Sequence, residues 1–235
     1  MANPPVTPEP QAEAESVGAA ASPWREPAVL LLAVALLAIP YYHGSPGWVP
    51  PRWRLFWWFG LSTLCFLVVP VLIIRFVWRE PLSRYGLALG DVRTWSRYFL
   101  AFAAVVLPAM VVASRFPSIQ QYYPRYPWAR HSFGALILSE LGWLVYFLAW
   151  EFFFRGFLLF TLLRRMPPAL AIAVQTVPFA MMHFPKPEAE AFASIIAGVA
   201  LGWMAYRGRS MVGTWLLHFL CAGLVDVLVV VWPLR

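Results

Sequence analysis

The sequence predicts an all-α polytopic membrane protein with about seven transmembrane helices. Of its 235 residues, 61% are hydrophobic and 12% are charged, whereas charged residues make up roughly 25% of ordinary soluble domains. The mean hydropathy is +0.65. A soluble domain of this size cannot bury so much apolar surface, so the excess must face lipid. These observations exclude a soluble enzyme, a disordered chain and a collagen-like fibre.

Seven apolar runs are predicted to be membrane-spanning helices. They cover residues 28–42, 54–78, 95–115, 132–163, 168–184, 190–206 and 211–232, approximately. Pro167 and Pro168 separate the fourth run from the fifth, and Pro185 and Pro187 close the fifth. Residues 1–26 are rich in Pro, Ala and Glu and predict a disordered tail. Without an internal repeat, a single membrane domain is the simplest organisation.

The basic residues lie mostly beside the apolar runs, where they contact lipid headgroups and set the topology. The net charge of +7 therefore indicates a lipid bilayer as partner, not nucleic acid. Of the 18 basic residues, ten fall on the side of the N-terminus, seven on the other side and one inside a span. This distribution predicts a cytoplasmic N-terminus. The short loops and the chain length are typical of a bacterial inner-membrane protein.

Ionisable side chains at membrane depth are functional candidates, because burying a charge in lipid costs several kcal/mol unless it is paired or hydrated. Glu151 and Arg155 are four residues apart and share a helix face, and Glu140 lies almost three turns earlier on the same stripe. Such a pair is equally consistent with a structural ion pair that fixes helix packing. The full set at membrane depth is Glu140, Glu151, Arg155, His183, His218 and Asp226. Glu190 follows shortly after His183.

One glutamate and two histidines at similar depth leave three chemistries open. They can activate a water molecule and stabilise an oxyanion, hold a divalent cation such as zinc, or relay protons in a transporter. No His-Glu-x-x-His helix supports the metal, and no Ser or Cys lies beside a base as a nucleophile. Cys65 and Cys221 both lie inside apolar runs and indicate neither a disulfide nor a Cys metal site.

Three segments resemble the motifs of the CPBP family, which contains CAAX prenyl endopeptidases and Abi-type bacteriocin-processing and self-immunity proteins. The family motifs are Glu-Glu-x-x-x-Arg, Phe-x-x-x-His and His-x-x-x-Asn, each on its own transmembrane helix. This chain has WEFFFRG at 150–156, FAMMH at 179–183 and His218 in the last run. The resemblance implies a four-helix core within residues 132–235, with residues 27–131 forming about three accessory transmembrane helices.

The resemblance implies a glutamate-dependent intramembrane endopeptidase acting on membrane-associated or lipidated peptides and proteins. Glu151 matches the second Glu of the first motif, Arg155 its Arg, and His183 and His218 the two histidines. Glu151 with His183 would then deprotonate water, His218 would hold the oxyanion, and Arg155 would orient Glu151. No cofactor is expected. If a divalent metal such as zinc were bound, its ligands would be Glu151, His183 and His218.

Two positions depart from the family motifs. Trp150 replaces the first Glu, and Ala222 stands where the resemblance places Asn, four residues after His218. Asp226 and Glu190 are the candidates to replace the missing polar groups, with Glu140 as a further supporting carboxylate. The alternative is a catalytically altered or inactive relative that keeps the fold and serves an immunity or scaffold role. A transporter is a weaker alternative, because the sequence shows no inverted repeat.

Overall fold

The computed structural model of the chain describes residues 24–233, and those residues form helices and turns without a strand. We number the helices as follows: α1 Arg25–His43, α2 Pro51–Val77, α3 Val92–Ala113, α4 Pro117–Tyr122, α5 Phe133–Leu162, α6 Pro168–Met181, α7 Glu188–Gly208 and α8 Val212–Val231. Most of the predicted tail lies outside the described residues, and its last two residues, Arg25 and Glu26, open α1.

The all-α membrane fold is confirmed. Each of the seven predicted runs coincides with a helix, and six of these helices are long and apolar enough to cross a membrane. The exception is α6, whose 14 residues span about 21 Å, less than the roughly 30 Å hydrocarbon layer. Large apolar side chains point outward from the long helices, and Val105 and Ile196 are each 74% exposed. Such surfaces are stable against lipid and not against water.

A partly buried ion-pair cluster joins three segments at one end of the bundle. The Glu80 carboxylate accepts hydrogen bonds from Arg25 at the start of α1, at 2.9 Å, and from the Tyr85 hydroxyl, at 2.7 Å. Arg164, just after α5, binds the same carboxylate. Burial alone would raise the pKa of Glu80, but the hydrogen bonds from Tyr85 and Arg25 and the charge of Arg164 outweigh it and lower that pKa.

The opposite end of the bundle is held by contacts around α4. The Tyr123 hydroxyl, just after α4, lies 2.8 and 2.9 Å from the two Glu190 carboxylate oxygens at the start of α7. Gln120 donates to the carbonyl of Trp232 after α8, at 3.1 Å. The chain therefore passes from the Arg164 end to the Glu190 end through α6 and the turn that follows it. The short α6 thus connects the two ends of the bundle, although it is not among the six helices long enough to cross a membrane.

Helix α5 forms the centre of the bundle, packed between α2 and α8. It widens into a π-helical segment at Phe152–Leu158, and all seven residues of that segment are buried. Single π-helical segments inside α-helices occur frequently at functional sites. Helix α6 packs along α7, and α3 packs on α7 and α8. This arrangement brings the middle of α5, the end of α6 and the middle of α8 to one place.

Candidate active site

Glu151 and His218 meet in the bundle interior. Glu151 Oε1 lies 2.6 Å from His218 Nδ1 and accepts a hydrogen bond from Arg155 Nη1 at 3.1 Å. Because a carboxylate only accepts hydrogen bonds, we assign the proton of the imidazole to Nδ1, which leaves Nε2 as its acceptor nitrogen. The Glu151 and Arg155 side chains are fully buried, and the His218 side chain is 14% exposed. Arg155 offsets the cost of burying the Glu151 charge.

His183 lies near this pair without bonding to it. It follows the end of α6, is 5% exposed, and its Nδ1 is 2.8 Å from the Phe179 carbonyl oxygen. That contact assigns the proton to Nδ1 and again leaves Nε2 as an acceptor. The ring centroid of Phe179 is 4.7 Å from that of His183 and 6.1 Å from that of His218. Phe179 thus contacts both imidazoles, and the Arg155 guanidinium lies 3.9 Å over the same ring.

Trp150 occupies the position where the resemblance places the first glutamate. Its ring centroid is 6.0 Å from that of His183, in an edge-to-face arrangement, and 6.0 Å from that of Phe179. The side chain is 4% exposed. His183 therefore has an indole as neighbour where a family member would offer it a carboxylate.

Four buried polar atoms at this place have no hydrogen-bond partner among the described residues: Glu151 Oε2, Arg155 Nε and Nη2, and Trp150 Nε1. Buried polar groups are almost always hydrogen-bonded, and unpaired ones are expected where water or a ligand binds. Two imidazole acceptors, one carboxylate and several N–H donors together can take a proton from water and stabilise a developing oxyanion.

The supporting carboxylates predicted from the sequence lie elsewhere. Glu190 binds Lys186 at 2.7 Å and the Tyr123 hydroxyl. Asp226 lies within electrostatic range of Glu140 and faces Trp143, more than two helical turns beyond His218. The structure thus brings together Glu151, Arg155 and His218, with His183 beside them. Sequence reasoning did not give Phe179 a role, although its place in the Phe-x-x-x-His motif was a usable signal.

The predicted metal ligands do not form a ligand set. His218 Nδ1 faces Glu151 and His183 Nδ1 faces a backbone carbonyl, so Nε2 is the acceptor nitrogen of both rings. Throughout residues 24–233 no group of three His, Cys, Asp or Glu side chains is arranged to hold a metal ion.

Comparison with known proteins gives one match. Residues 132–224 match the family model described as type II CAAX prenyl endopeptidase, Rce1-like. The match includes the residues of all three motifs. No curated protein and no solved structure matches the chain.

Proposed function

Since residues 132–224 form a core of the CPBP family, we propose that the chain is an intramembrane endopeptidase that hydrolyses peptide bonds of membrane-associated substrates. The observation that supports this most directly is the 2.6 Å contact between Glu151 and His218, surrounded by buried polar atoms that lack partners. An ion pair that served packing alone would leave no reason for unpaired donors and acceptors beside it.

The geometry favours His218 as the general base. With Glu151 accepting from Nδ1, the imidazole is held in the tautomer whose Nε2 takes a proton, as a carboxylate orients a catalytic histidine in hydrolases. A water molecule then gives its proton to His218 Nε2 while its oxygen bonds to the peptide carbonyl carbon. When the C–N bond breaks, the imidazolium returns that proton to the leaving amine. Glu151 is in this scheme the group that orients and stabilises the imidazolium.

His183, Trp150 and Arg155 have separate roles in the proposal. His183 Nε2 accepts the second hydrogen of the attacking water and fixes its direction. The unpaired N–H groups of Trp150 and Arg155 donate to the oxyanion that forms on the carbonyl oxygen. This assignment differs from the one implied by the resemblance, in which His218 holds the oxyanion. The difference rests on the Nδ1 contact, which leaves His218 without a free N–H.

The proposed activity is tested with the purified full chain in lipid vesicles. The probes are a library of single-span membrane peptides, and a C-a-a-X peptide with and without a farnesyl group. New termini are mapped by mass spectrometry. We expect cleavage by the parent and a loss of about 10²–10⁴-fold in Glu151→Gln and His218→Gln. Glu190→Gln, which alters a half-buried carboxylate outside the site, should keep the parent's rate. Retained cleavage in both site variants would contradict the assignment.

The same experiment defines the second candidate function. Trp150 fills the position of a catalytic carboxylate with an aromatic ring, which favours an altered or inactive relative that binds membrane proteins in an immunity or scaffold role. If the correctly folded parent cleaves no probe, this candidate replaces the first. We further propose a bacterial inner-membrane location and a cytoplasmic N-terminus, which the distribution of basic residues supports.

A further inference from the structure

A second pair of acids lies on the two helices that carry the Glu151–His218 pair. Glu140 is eleven residues before Glu151 on α5, and Asp226 is eight residues after His218 on α8. At 1.5 Å per residue these separations are about 12–16 Å along the helices. Because α5 and α8 pack against each other and run in opposite directions, Glu140 and Asp226 come together at one level, as Glu151 and His218 do at another.

The pair is built into the packing between the helices. Asp226 is 2% exposed, and all four carboxyl oxygens of Glu140 and Asp226 are shielded and lack a hydrogen-bond partner in the described part of the chain. The Trp143 indole N–H faces Asp226 without forming a hydrogen bond, and its side chain is 8% exposed. Gly223 leaves room for Glu140, because a Cβ at residue 223 would lie 2.8 Å from Glu140 Oε2.

No cationic side chain within residues 24–233 forms an ion pair with either acid. The charged and titratable groups that act on Asp226 from neighbouring elements are Arg125 and Tyr123 after α4, Lys186 before α7, and Glu140 on α5. Lys186 is bound to Glu190, at 2.7 Å, and Arg125 lies over the Tyr122 ring, at 4.5 Å. Two adjacent carboxylates in an apolar interior without a paired cation do not both stay ionised.

We propose that Glu140 and Asp226 form a proton-binding site in which one carboxyl group keeps a proton at neutral pH beside the other. The Trp143 indole N–H can donate a hydrogen bond to this pair or to a water molecule bound to it. The proton that neutralises one of the two carboxylates therefore comes from solution, because no cationic side chain is paired with them. Since an unfolded chain exposes both acids and ionises them at neutral pH, the folded state holds a proton that the unfolded state releases.

The test is the pH dependence of thermal stability for the full chain in lipid nanodiscs. Each proton held only by the folded state lowers the folding equilibrium constant tenfold per pH unit of increase, until the site itself loses the proton. The buried neutral histidines contribute a dependence of the opposite sign in every variant, so the Tm of the parent should fall between pH 5 and neutral pH relative to that of the Glu140/Asp226 double variant. Glu140→Gln combined with Asp226→Asn imitates the neutral pair, so this part of the dependence should disappear. Glu188→Gln, an exposed acid on α7, should leave it unchanged.

Infrared difference spectroscopy detects the protonated carboxyl group directly, and this signal does not depend on how the two side chains contribute to helix packing. The carbonyl stretching band of a buried protonated carboxyl should be present in the parent at pH 7 and absent from the double variant. A parent spectrum without this band at pH 7 overturns the proposal. So does a rise in Tm with Ca²⁺ or Mg²⁺ at constant pH that the double variant abolishes, because the pair would then bind a metal ion. These results are independent of whether the chain cleaves peptides.

Discussion

Two acid sites on the same pair of helices show how partners, and not burial alone, decide what an intramembrane carboxylate does. Glu151 is fully buried and has a guanidinium and an imidazole bonded to one oxygen. Asp226 is almost as buried, yet it has another carboxyl group as neighbour and no bonded cation. The first arrangement keeps a charge in the bundle, and the second requires a proton.

Removing the cation of the first site should have the largest effect on stability. Arg155→Met leaves the Glu151 carboxylate buried beside an uncharged side chain, and breaking a buried pair in this way costs about 3–5 kcal/mol. The free energy of unfolding, measured by denaturant titration in mixed micelles, should fall by that amount. At the second site, Asp226→Asn removes no paired cation, so it should cost much less.

A double variant separates the lost ion pair from lost packing. If an uncompensated charge causes the damage, Arg155→Met combined with Glu151→Gln should recover much of the stability, because no charge then remains unpaired. Equal destabilisation of the single and double variants would mean that the shape of Arg155 over Phe179 matters more than its charge. An unchanged melting profile in Glu151→Gln alone would count against a structural role for the pair.

Glu80 at the bundle end extends the comparison to an acid with three partners. Glu80→Gln removes the charge that Arg25 and Arg164 share, and the free energy of unfolding should fall by about 1–2 kcal/mol. Because the pKa of Glu80 is lowered in the folded protein, its contribution is present above the ordinary Glu range and is lost as the pH falls through the folded pKa. This pH dependence has the opposite sign to that of Glu140 and Asp226.

Stability measured at acid and neutral pH checks this prediction. The exposed Glu188→Gln serves as control and should change the unfolding free energy by no more than about 0.5 kcal/mol. If Glu80→Gln is no more destabilising at neutral pH than at acid pH, the cluster does not hold the three segments together through charge.

The sequence predicted the helices and the Glu151–Arg155 pair well, because both follow from local patterns. Apolar runs and prolines located each helix numbered above except the six-residue α4, and the i, i+4 spacing predicted the contact of Glu151 with Arg155. The Tyr123 partner of Glu190 and the neighbours of Asp226 could not be predicted in this way. Tyr123 and Lys186 are 67 and four residues from Glu190, and only the packing of the α4 segment against α7 brings the tyrosine there.

The tautomer and the ring orientation of His218 also could not be predicted from the sequence. The motifs predicted that His218 belongs to the site, but not that its Nδ1 would be the nitrogen facing Glu151. That choice depends on how α5 and α8 are rotated about their axes. The rotation is set by side-chain packing along their whole length, including small residues such as Gly223.

Gly223→Ala is the smallest change that tests the second site. The new Cβ would lie within 3 Å of Glu140 Oε2, so the flexible end of Glu140 must move. The cost, about 1 kcal/mol, is nearly offset by the gain of about 0.5–1 kcal/mol from replacing glycine in a helix interior. Gly223→Ala should therefore be almost neutral in the parent and stabilising in a Glu140→Ala background. A double-mutant cycle on the free energy of unfolding measures this coupling, and a coupling of zero would show that Gly223 does not make room for the Glu140 carboxyl.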